Sequence, residues 1–143
     1  MKNFIVILFF LFLKTSIAQQ NEVINLWIDS KSEEKCNIPK SQRGRYHSEI
    51  NTVNKYEKYV SKSKIRFYIC KELFVWTKKY KIDTCSVKNI KGINFSSILD
   101  LIEKVNNKNP LYPEKVFKKT YIFEKINDSV MVKYNVKWKY YIE

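Results

Sequence analysis

The sequence predicts a small α+β domain, built from an antiparallel sheet with a long C-terminal hairpin and about two helices, after an N-terminal signal peptide. Three observations support this fold class. The 143 residues are 45% hydrophobic and 15% aromatic, which suffices for one core and excludes a wholly disordered or collagen-like chain. The C-terminal segment alternates apolar and polar residues with the period of two of a half-buried strand. An earlier segment spaces its apolar residues by three and four, as a helix does.

Residues 1–18 have the pattern of a secretory signal peptide. Lys2 provides a positive start, residues 4–13 are ten consecutive apolar side chains, and Ser16-Ile17-Ala18 supplies the small residues of a cleavage site. A membrane-spanning helix needs about 20 apolar residues, so this run is too short for one. We expect cleavage after residue 18, one domain over residues 19–143 without a transmembrane segment, and a secreted or periplasmic location. An uncleaved membrane anchor is the alternative.

Two elements are expected in the first part of the domain. Residues 22–29 are rich in β-branched and aromatic side chains and predict a strand in which Trp27 is buried. Residues 30–44 lose the apolar pattern and predict an irregular loop. Ser48 is then expected to begin a helix that extends to about Lys62, because apolar side chains recur there at three- and four-residue spacing.

The middle of the chain predicts two strands and a helix. Residues 65–77 fit both periodicities, and their aromatic and β-branched content favours a strand. A polar break at residues 78–81 predicts a turn into a second short strand that ends near Cys85. Asn94 or Ser96 is expected to cap the second helix. The core face of that helix would consist of Ile98, Leu101 or Ile102, and Val105.

The C-terminal hairpin is the clearest element of the sequence. Residues 116–126 predict one strand, Asn127-Asp128-Ser129 a turn, and the chain from Val130 onwards the second strand. Every second residue of that strand is apolar, so this set is expected to form the inner face and to pack on one or both helices. The set consists of Val130, Val132, Tyr134, Val136, Trp138 and Tyr140.

The three cysteines, Cys36, Cys70 and Cys85, all lie in the part expected to be exported, where thiols oxidise. The expected pair is Cys70 and Cys85, which would join the strands on either side of the turn at residues 78–81 and stabilise the fold by roughly 3 kcal/mol. A bridge involving Cys36 and a fully reduced set are the alternatives. No cofactor and no metal site are expected, because no two cysteines have the spacing of a zinc ligand pair.

The chain is strongly basic, with 27 Lys and Arg against 14 Asp and Glu and a formal net charge of +13. Residues 55–91 hold most of the excess, with eleven basic and three acidic side chains. A concentrated positive charge suits a polyanion. The alternative is the coding composition of the genome, because lysine belongs with the other residue types that A/T-rich codons specify. The predicted binding surface consists of Lys55, Lys58, Lys62, Lys64, Arg66, Lys78, Lys79 and Lys81, with Lys88 and Lys91 at its edge.

The only histidine, His47, lies in a segment that could hold and cleave a phosphodiester. Arg43 and Arg45 are candidates to bind a phosphate, and His47 and Glu49 are weak candidates to exchange a proton without a metal. Neighbouring residues of one loop need not converge, so a solvated loop is the alternative. The sequence contains no nucleophile elbow, no His-Glu-x-x-His and no glycine-rich phosphate loop.

These observations favour a secreted or periplasmic binding module over an enzyme. A polyanion, an anionic envelope surface or a protein would each suit its basic, tyrosine-bearing surface. The alternative function is a small secreted hydrolase of the metal-free phosphodiesterase kind, centred on His47. A third possibility is a structural or inhibitory partner of one protein, which would require an exposed face of Tyr134, Trp138 and Tyr140.

Overall fold

A computed structural model describes residues 22–37 and 53–139. These residues form one small domain in which strands predominate over helix. A seven-stranded sheet has the order β1-β8-β9-β6-β5-β4, with β7 also paired to β9, and a separate two-stranded ribbon joins β2 to β3. The strands are β1 (Val23–Asp29), β2 (Lys35–Cys36), β3 (Val53–Asn54), β4 (Tyr56–Val60), β5 (Lys64–Ile69), β6 (Glu72–Thr77), β7 (Ile82–Ser86), β8 (Lys119–Lys125) and β9 (Val130–Lys139). Helix α1 (Ile98–Lys108) and two 3₁₀ turns (Val87–Ile90 and Pro113–Lys115) complete the described part.

The predicted C-terminal hairpin is present and forms the centre of the sheet. β8 and β9 pair antiparallel from Thr120 opposite Val136 to Lys125 opposite Met131. The side chain of Asn127 accepts hydrogen bonds from the backbone N–H groups of Ser129 and Val130, both at 2.9 Å, which stabilises the turn. Side chains of the predicted inner set pack into the core, with Tyr134, Val136 and Trp138 buried.

The sheet is mixed, so the expectation of an antiparallel sheet is only partly met. β1 pairs parallel with β8, from Val23 opposite Lys119 to Asp29 opposite Lys125. Alternation along β1 turns Ile24 and its even-numbered neighbours towards the core and the odd-numbered residues to the other face. Trp27 is therefore 38% exposed and makes an edge contact with Phe95, which corrects the prediction that Trp27 is buried.

The predicted helix from Ser48 to Lys62 is wrong for the part that the structure describes. Residues 53–54 and 56–60 are strands, and β4 pairs along its whole length with β5. The tyrosines and valines of this segment favour strands, and pairing with β5 outweighs the helical spacing of its apolar residues. The beginning of the predicted helix, residues 48–52, lies outside the described residues, as do the signal peptide and residues 38–44 of the predicted loop.

The segment at residues 65–77 is extended as predicted, but it forms two strands instead of one. β5 and β6 are joined by a tight turn at Cys70 and Lys71, whose φ angles are 51° and 66°. Positive φ at both central positions is the geometry that joins twisted antiparallel strands most readily. The turn carries neither Gly nor Asn, the residues that signal such turns, so the sequence pattern did not reveal it.

The chain does not reverse at residues 78–81, where a turn between two paired strands was expected. β6 and β7 both run antiparallel to β9 on the same side of it, with Val75 opposite Lys137 and Ile82 opposite Tyr134. Residues 78–81 are thus an insertion between β6 and β7, which pair one after the other with the same strand, β9. The insertion forms a bulge in the sheet. β7 itself is the short second strand that the sequence predicts.

The second predicted helix is α1, and its apolar stripe forms one wall of the core. Ile98, Leu101, Ile102 and Val105 are buried, as expected. Ser97 occupies the N-cap position in place of Asn94 or Ser96, and Asn109 ends the helix. The main core lies between α1 and the inner face of the sheet, where Phe67, Phe74 and Trp138 are its largest fully buried side chains.

The opposite face of the sheet is covered at one corner only. Ile90, Phe123 and Met131 form a second, smaller buried cluster there, with Phe95 and Cys85 packed against it. The remaining part of this face, over β9, β6, β5 and β4, has no layer packed on it within the described residues. We call this the outer face of the sheet. No helix of the described chain has the length and apolar character needed to cross a membrane.

The disulfide joins Cys36 to Cys70, with Cα atoms 5.5 Å apart, and Cys85 is free. The predicted bridge between Cys70 and Cys85 is therefore wrong. Because β7 continues in the direction of β6, Cys85 comes to lie opposite Met131 in the second cluster, while Cys70 lies in the β5–β6 turn. The bridge attaches the β2–β3 ribbon to one end of the β4–β5–β6 meander.

Candidate functional site

The basic residues that the sequence singles out fall into two groups, and the first group is paired with acids. Lys55 forms a salt bridge with Glu34 beside the disulfide. Lys58 reaches Glu124 with an Nζ to Oε2 distance of 2.5 Å. Lys81 lies 3.2 Å from the carboxylate of Asp83 at the surface. These three lysines have their charge partners within the domain.

The second group gathers at the opposite end of the meander from the disulfide. The β4–β5 loop at residues 61–63 and the bulge at residues 78–81 are adjacent, because Lys64 pairs with Thr77 and the N–H of Lys78 donates to the carbonyl of Ser63 at 3.0 Å. All residues of both segments are exposed except Tyr80, which is half-buried. Their lysines form what we call the lysine end, which consists of Lys62, Lys64, Lys78 and Lys79.

Local hydrogen bonds give both segments of the lysine end a defined backbone. The N–H and the hydroxyl of Ser61 donate to the carbonyl of Lys64, at 2.9 and 3.0 Å, and close the β4–β5 loop. In the bulge, the N–H of Tyr80 donates to the carbonyl of Thr77 at 2.9 Å. The carbonyl of Tyr80 in turn accepts from the indole N–H of Trp76 at 3.0 Å. The four lysines therefore project from a fixed frame.

Strand pairing extends the positive charge from the lysine end across the outer face. Tyr59 pairs with Arg66, Arg66 with Val75, and Val75 with Lys137, so these residues form a row across four strands. Neighbouring strands are about 4.8 Å apart, which places Arg66 and Lys137 roughly 10 Å from each other. Lys137 is a member that sequence reasoning missed. The alternation of β9 assigned it to the outer side, but only the strand order brings it beside Arg66.

The lysine end and this row contain no internal salt bridge among the described residues. Arg66, Lys137 and the four lysines of the end have no carboxylate within salt-bridge distance in the part of the chain that the structure describes. The nearest acidic residue of β4, Glu57, accepts a hydrogen bond from the hydroxyl of Tyr59 at 3.0 Å. Six like charges therefore face water together and create a positive potential that favours an anionic ligand.

The charge pair of Lys58 lies in a buried polar cluster on the other side of the sheet. Glu124 is only 2% exposed and accepts hydrogen bonds from the hydroxyls of Tyr56 at 3.2 Å and Tyr134 at 3.0 Å, besides that of Lys58. β4 and β8 are separated by three strands, which would put them about 19 Å apart in a flat sheet. The contact therefore shows that the sheet curls around the core and that the outer face is convex.

Burial raises the pKa of Tyr56 above its ordinary value of 10.0, and the negative charge of Glu124 raises it further. The pKa of Tyr134 is raised for the same two reasons in the same order. Three donors converge on one carboxylate, so the charge of Glu124 is fully compensated. The cluster is suited to hold the edge strand β4 against the sheet, whereas a general acid or base needs access to a substrate.

The catalytic candidates are not placed by the structure. Arg43, Arg45, His47 and Glu49 lie outside the described residues. Within residues 22–37 and 53–139, no three His, Cys, Asp or Glu side chains come together as metal ligands would. Tyr134 and Trp138 are buried, so they form no exposed aromatic face, and Tyr140 is outside the described part. Lys88 and Lys91 are exposed at and after the first 3₁₀ turn.

Comparisons with protein-family models, with curated proteins and with solved structures found no match. Among the described residues, the lysine end with its row on the outer face is the arrangement whose chemistry points most directly to a ligand.

Proposed function

We propose that this protein is a binding module for a polyanion, and that the lysine end together with Arg66 and Lys137 is its binding surface. The observation that carries the proposal is the contrast in charge pairing. Lys55, Lys58 and Lys81 are neutralised by carboxylates, whereas the six cations of the surface have no acidic partner among the described residues.

The composition of the surface favours recognition of charge density over recognition of one geometry. A lysine ammonium acts as a compact point charge, whereas the planar arginine fork is suited to two-pronged contacts with one phosphate or carboxylate. The surface contains five lysines and a single arginine, Arg66. It is therefore suited to a polymer or array of anionic groups whose individual positions vary.

If the lysine excess reflected only the coding composition of the genome, the lysines would be distributed differently over the surface. Codon composition alone scatters lysines among the acids over the whole surface. Here the stretch from Lys58 to Ile82 contains a single acidic residue, Glu72, which is buried at the far end of the meander and accepts from the indole of Trp138. The separation of charges favours a binding role.

An extracellular or periplasmic location is part of the proposal. The pattern of residues 1–18 supports export. The disulfide between Cys36 and Cys70 supports it too, since such bonds persist mainly in oxidising compartments. The partners to be expected there are anionic polymers and envelope surfaces.

The test is a titration of the oxidised protein from residue 19 onwards with inorganic polyphosphate at several salt concentrations. A protein that neutralises four phosphates of a flexible chain loses about 50-fold in affinity between 50 and 200 mM salt. The variant with Lys→Gln at positions 62, 64, 78 and 79 is expected to lose more than about tenfold in affinity and most of this salt dependence.

The matched control changes four exposed lysines elsewhere, Lys31, Lys35, Lys91 and Lys108, to Gln and so removes the same net charge. We expect it to lose less than about threefold, because screening weakens charges more than about 10 Å away. Equal losses in the two variants, or no binding at physiological salt, would contradict the proposal.

A further inference from the structure

Two side chains with large exposed apolar surfaces lie next to the lysine end. Val60 is 70% exposed and Tyr59 is 56% exposed, and they are the last two residues of β4 before the loop that carries Lys62. The register places Val60 opposite buried Ile65 on the core side of the edge strand, where it extends beyond the core. Ile82, which is 39% exposed, follows the bulge that carries Lys78 and Lys79.

We propose that the lysine end docks on an anionic lipid bilayer, with Val60 and Tyr59 entering the headgroup region while the lysines contact the charged headgroups. The inference rests on the proposed function and adds to it the identity of the polyanion. It is carried by an exposed valine two residues before Lys62, at the start of the lysine end, whose four lysines have no carboxylate partner among the described residues, because a soluble anionic chain would leave that valine in water.

The chemistry of the site matches the two layers of a membrane surface. Each lysine that lies close to an anionic leaflet raises the partition constant of the protein by about fivefold. The boundary between headgroups and acyl chains accepts apolar and aromatic side chains. Removing most of the exposed surface of one valine from water adds about tenfold. The four lysines of the lysine end supply the electrostatic attraction, and Val60 and Tyr59 supply the apolar surface.

The shape of this surface favours a planar partner over a threaded chain. Val60 faces the core side of β4 and Tyr59 the outer side, so the two side chains lie on either side of the strand end that leads into the loop, whereas single-stranded nucleic acids lie in grooves whose aromatic rings stack on successive bases. Tyr59 is not presented as such a platform. Its hydroxyl donates to Glu57, and its ring meets the ring of Tyr68 edge to face at 5.6 Å.

The test measures sedimentation of the oxidised protein with vesicles of phosphatidylcholine containing about one-third phosphatidylglycerol, and with vesicles of phosphatidylcholine alone. Val60→Ser is expected to lower the partition constant on anionic vesicles about tenfold, and its affinity for soluble polyphosphate should equal that of the wild type. The matched control is Val23→Ser, since Val23 is also exposed but begins β1 on the far side of the sheet. It should behave as the wild type on both probes.

Each outcome decides between the two proposals. Loss of vesicle binding in Val60→Ser with retained polyphosphate binding supports membrane docking. Equal partitioning of Val60→Ser and the wild type overturns it, as does binding to polyphosphate without binding to anionic vesicles, and in both cases the polyanion module stands. If neither probe binds, both proposals fail.

Discussion

The two ends of the β4–β5–β6 meander hold their charged residues in opposite ways. At the disulfide end, Lys55 pairs with Glu34, and Cys70 is bonded to Cys36 in the turn between β5 and β6. At the lysine end, four cations stand on hydrogen-bonded loops without a carboxylate partner among the described residues. The paired Lys55 therefore contributes to the fold, whereas the four lysines of the lysine end are available to a ligand.

This difference also says where substitutions should matter for folding. The disulfide end and the Glu124 cluster connect strands that are distant in the chain, so their loss releases long segments. The loop and the bulge of the lysine end are fixed by backbone hydrogen bonds that lysine side chains do not make.

Removing the disulfide should have the largest effect. The bond connects residues 34 positions apart, and closure of a loop of that length in the unfolded chain corresponds to about 4 kcal/mol. The double variant Cys36→Ser and Cys70→Ser is expected to lose that amount in urea unfolding at pH 7. Cys85→Ser, the control, should lose less than about 1 kcal/mol. A double variant as stable as this control would contradict the assigned pairing.

Removing the buried carboxylate should have the next largest effect. Glu124→Ala leaves the ammonium of Lys58 without its counter-charge and two tyrosine hydroxyls without their acceptor. The expected loss is about 3 kcal/mol in the free energy of unfolding. Glu33→Ala, at an exposed position of the loop after β1, is the matched control and should change stability by less than about 0.5 kcal/mol. Similar losses in both variants would remove the structural role assigned to this cluster.

The raised pKa values of Tyr56 and Tyr134 predict a loss of stability in alkali. Each folded-state pKa lies above 10, so the hydroxyl keeps its proton in the folded state when the unfolded chain has released it. The stabilisation is complete below pH 10 and decreases as the pH rises beyond it. Urea unfolding at pH 9 and 10.5 should show a smaller decrease for Tyr56→Phe than for the wild type. Parallel pH profiles would show that Tyr56 does not contribute.

Substitutions at the lysine end should have the smallest effect on folding. Replacement of Lys62, Lys64, Lys78 and Lys79 by Gln removes no salt bridge within the described chain, so each change should alter the free energy of unfolding by less than about 0.5 kcal/mol. Urea unfolding of the single variants checks this expectation. A loss above 1 kcal/mol in any of them would mean that the lysine concerned supports the fold.

Local periodicity predicted the elements with one clear pattern. The alternation of β9 and the helical stripe of α1 were both found, because each element buries one face against the same core. Residues 53–62 were assigned wrongly because three-residue spacing of apolar side chains fits a helix and an edge strand alike, and only pairing with β5 decides between them. The parallel pairing of β1 with β8 also joins segments that are distant in the chain, and no sequence pattern within either strand indicates it.

The candidate site was predictable only in part for the same reason. The sequence indicated the basic segment, and the strand register then divided it into paired and unpaired lysines. Lys58 could not be recognised as a buried ion-pair member, because its partner Glu124 lies 66 positions away. Lys137 becomes part of the surface because β9 pairs with β6, with Val75 opposite Lys137, and the spacing of residues along the chain does not reveal this pairing.

Mapping the contact residues by NMR would show directly whether the lysine end binds a polyanion. A backbone amide spectrum of the oxidised protein, recorded during titration with a short inorganic polyphosphate, reports the affected residues one by one. We expect the largest shifts at residues 61–64 and 77–81, smaller shifts along the row from Tyr59 to Lys137, and none at Lys55 or around the turn at Cys70. Shifts centred on the disulfide end, with residues 61–64 and 77–81 unchanged, would contradict this expectation.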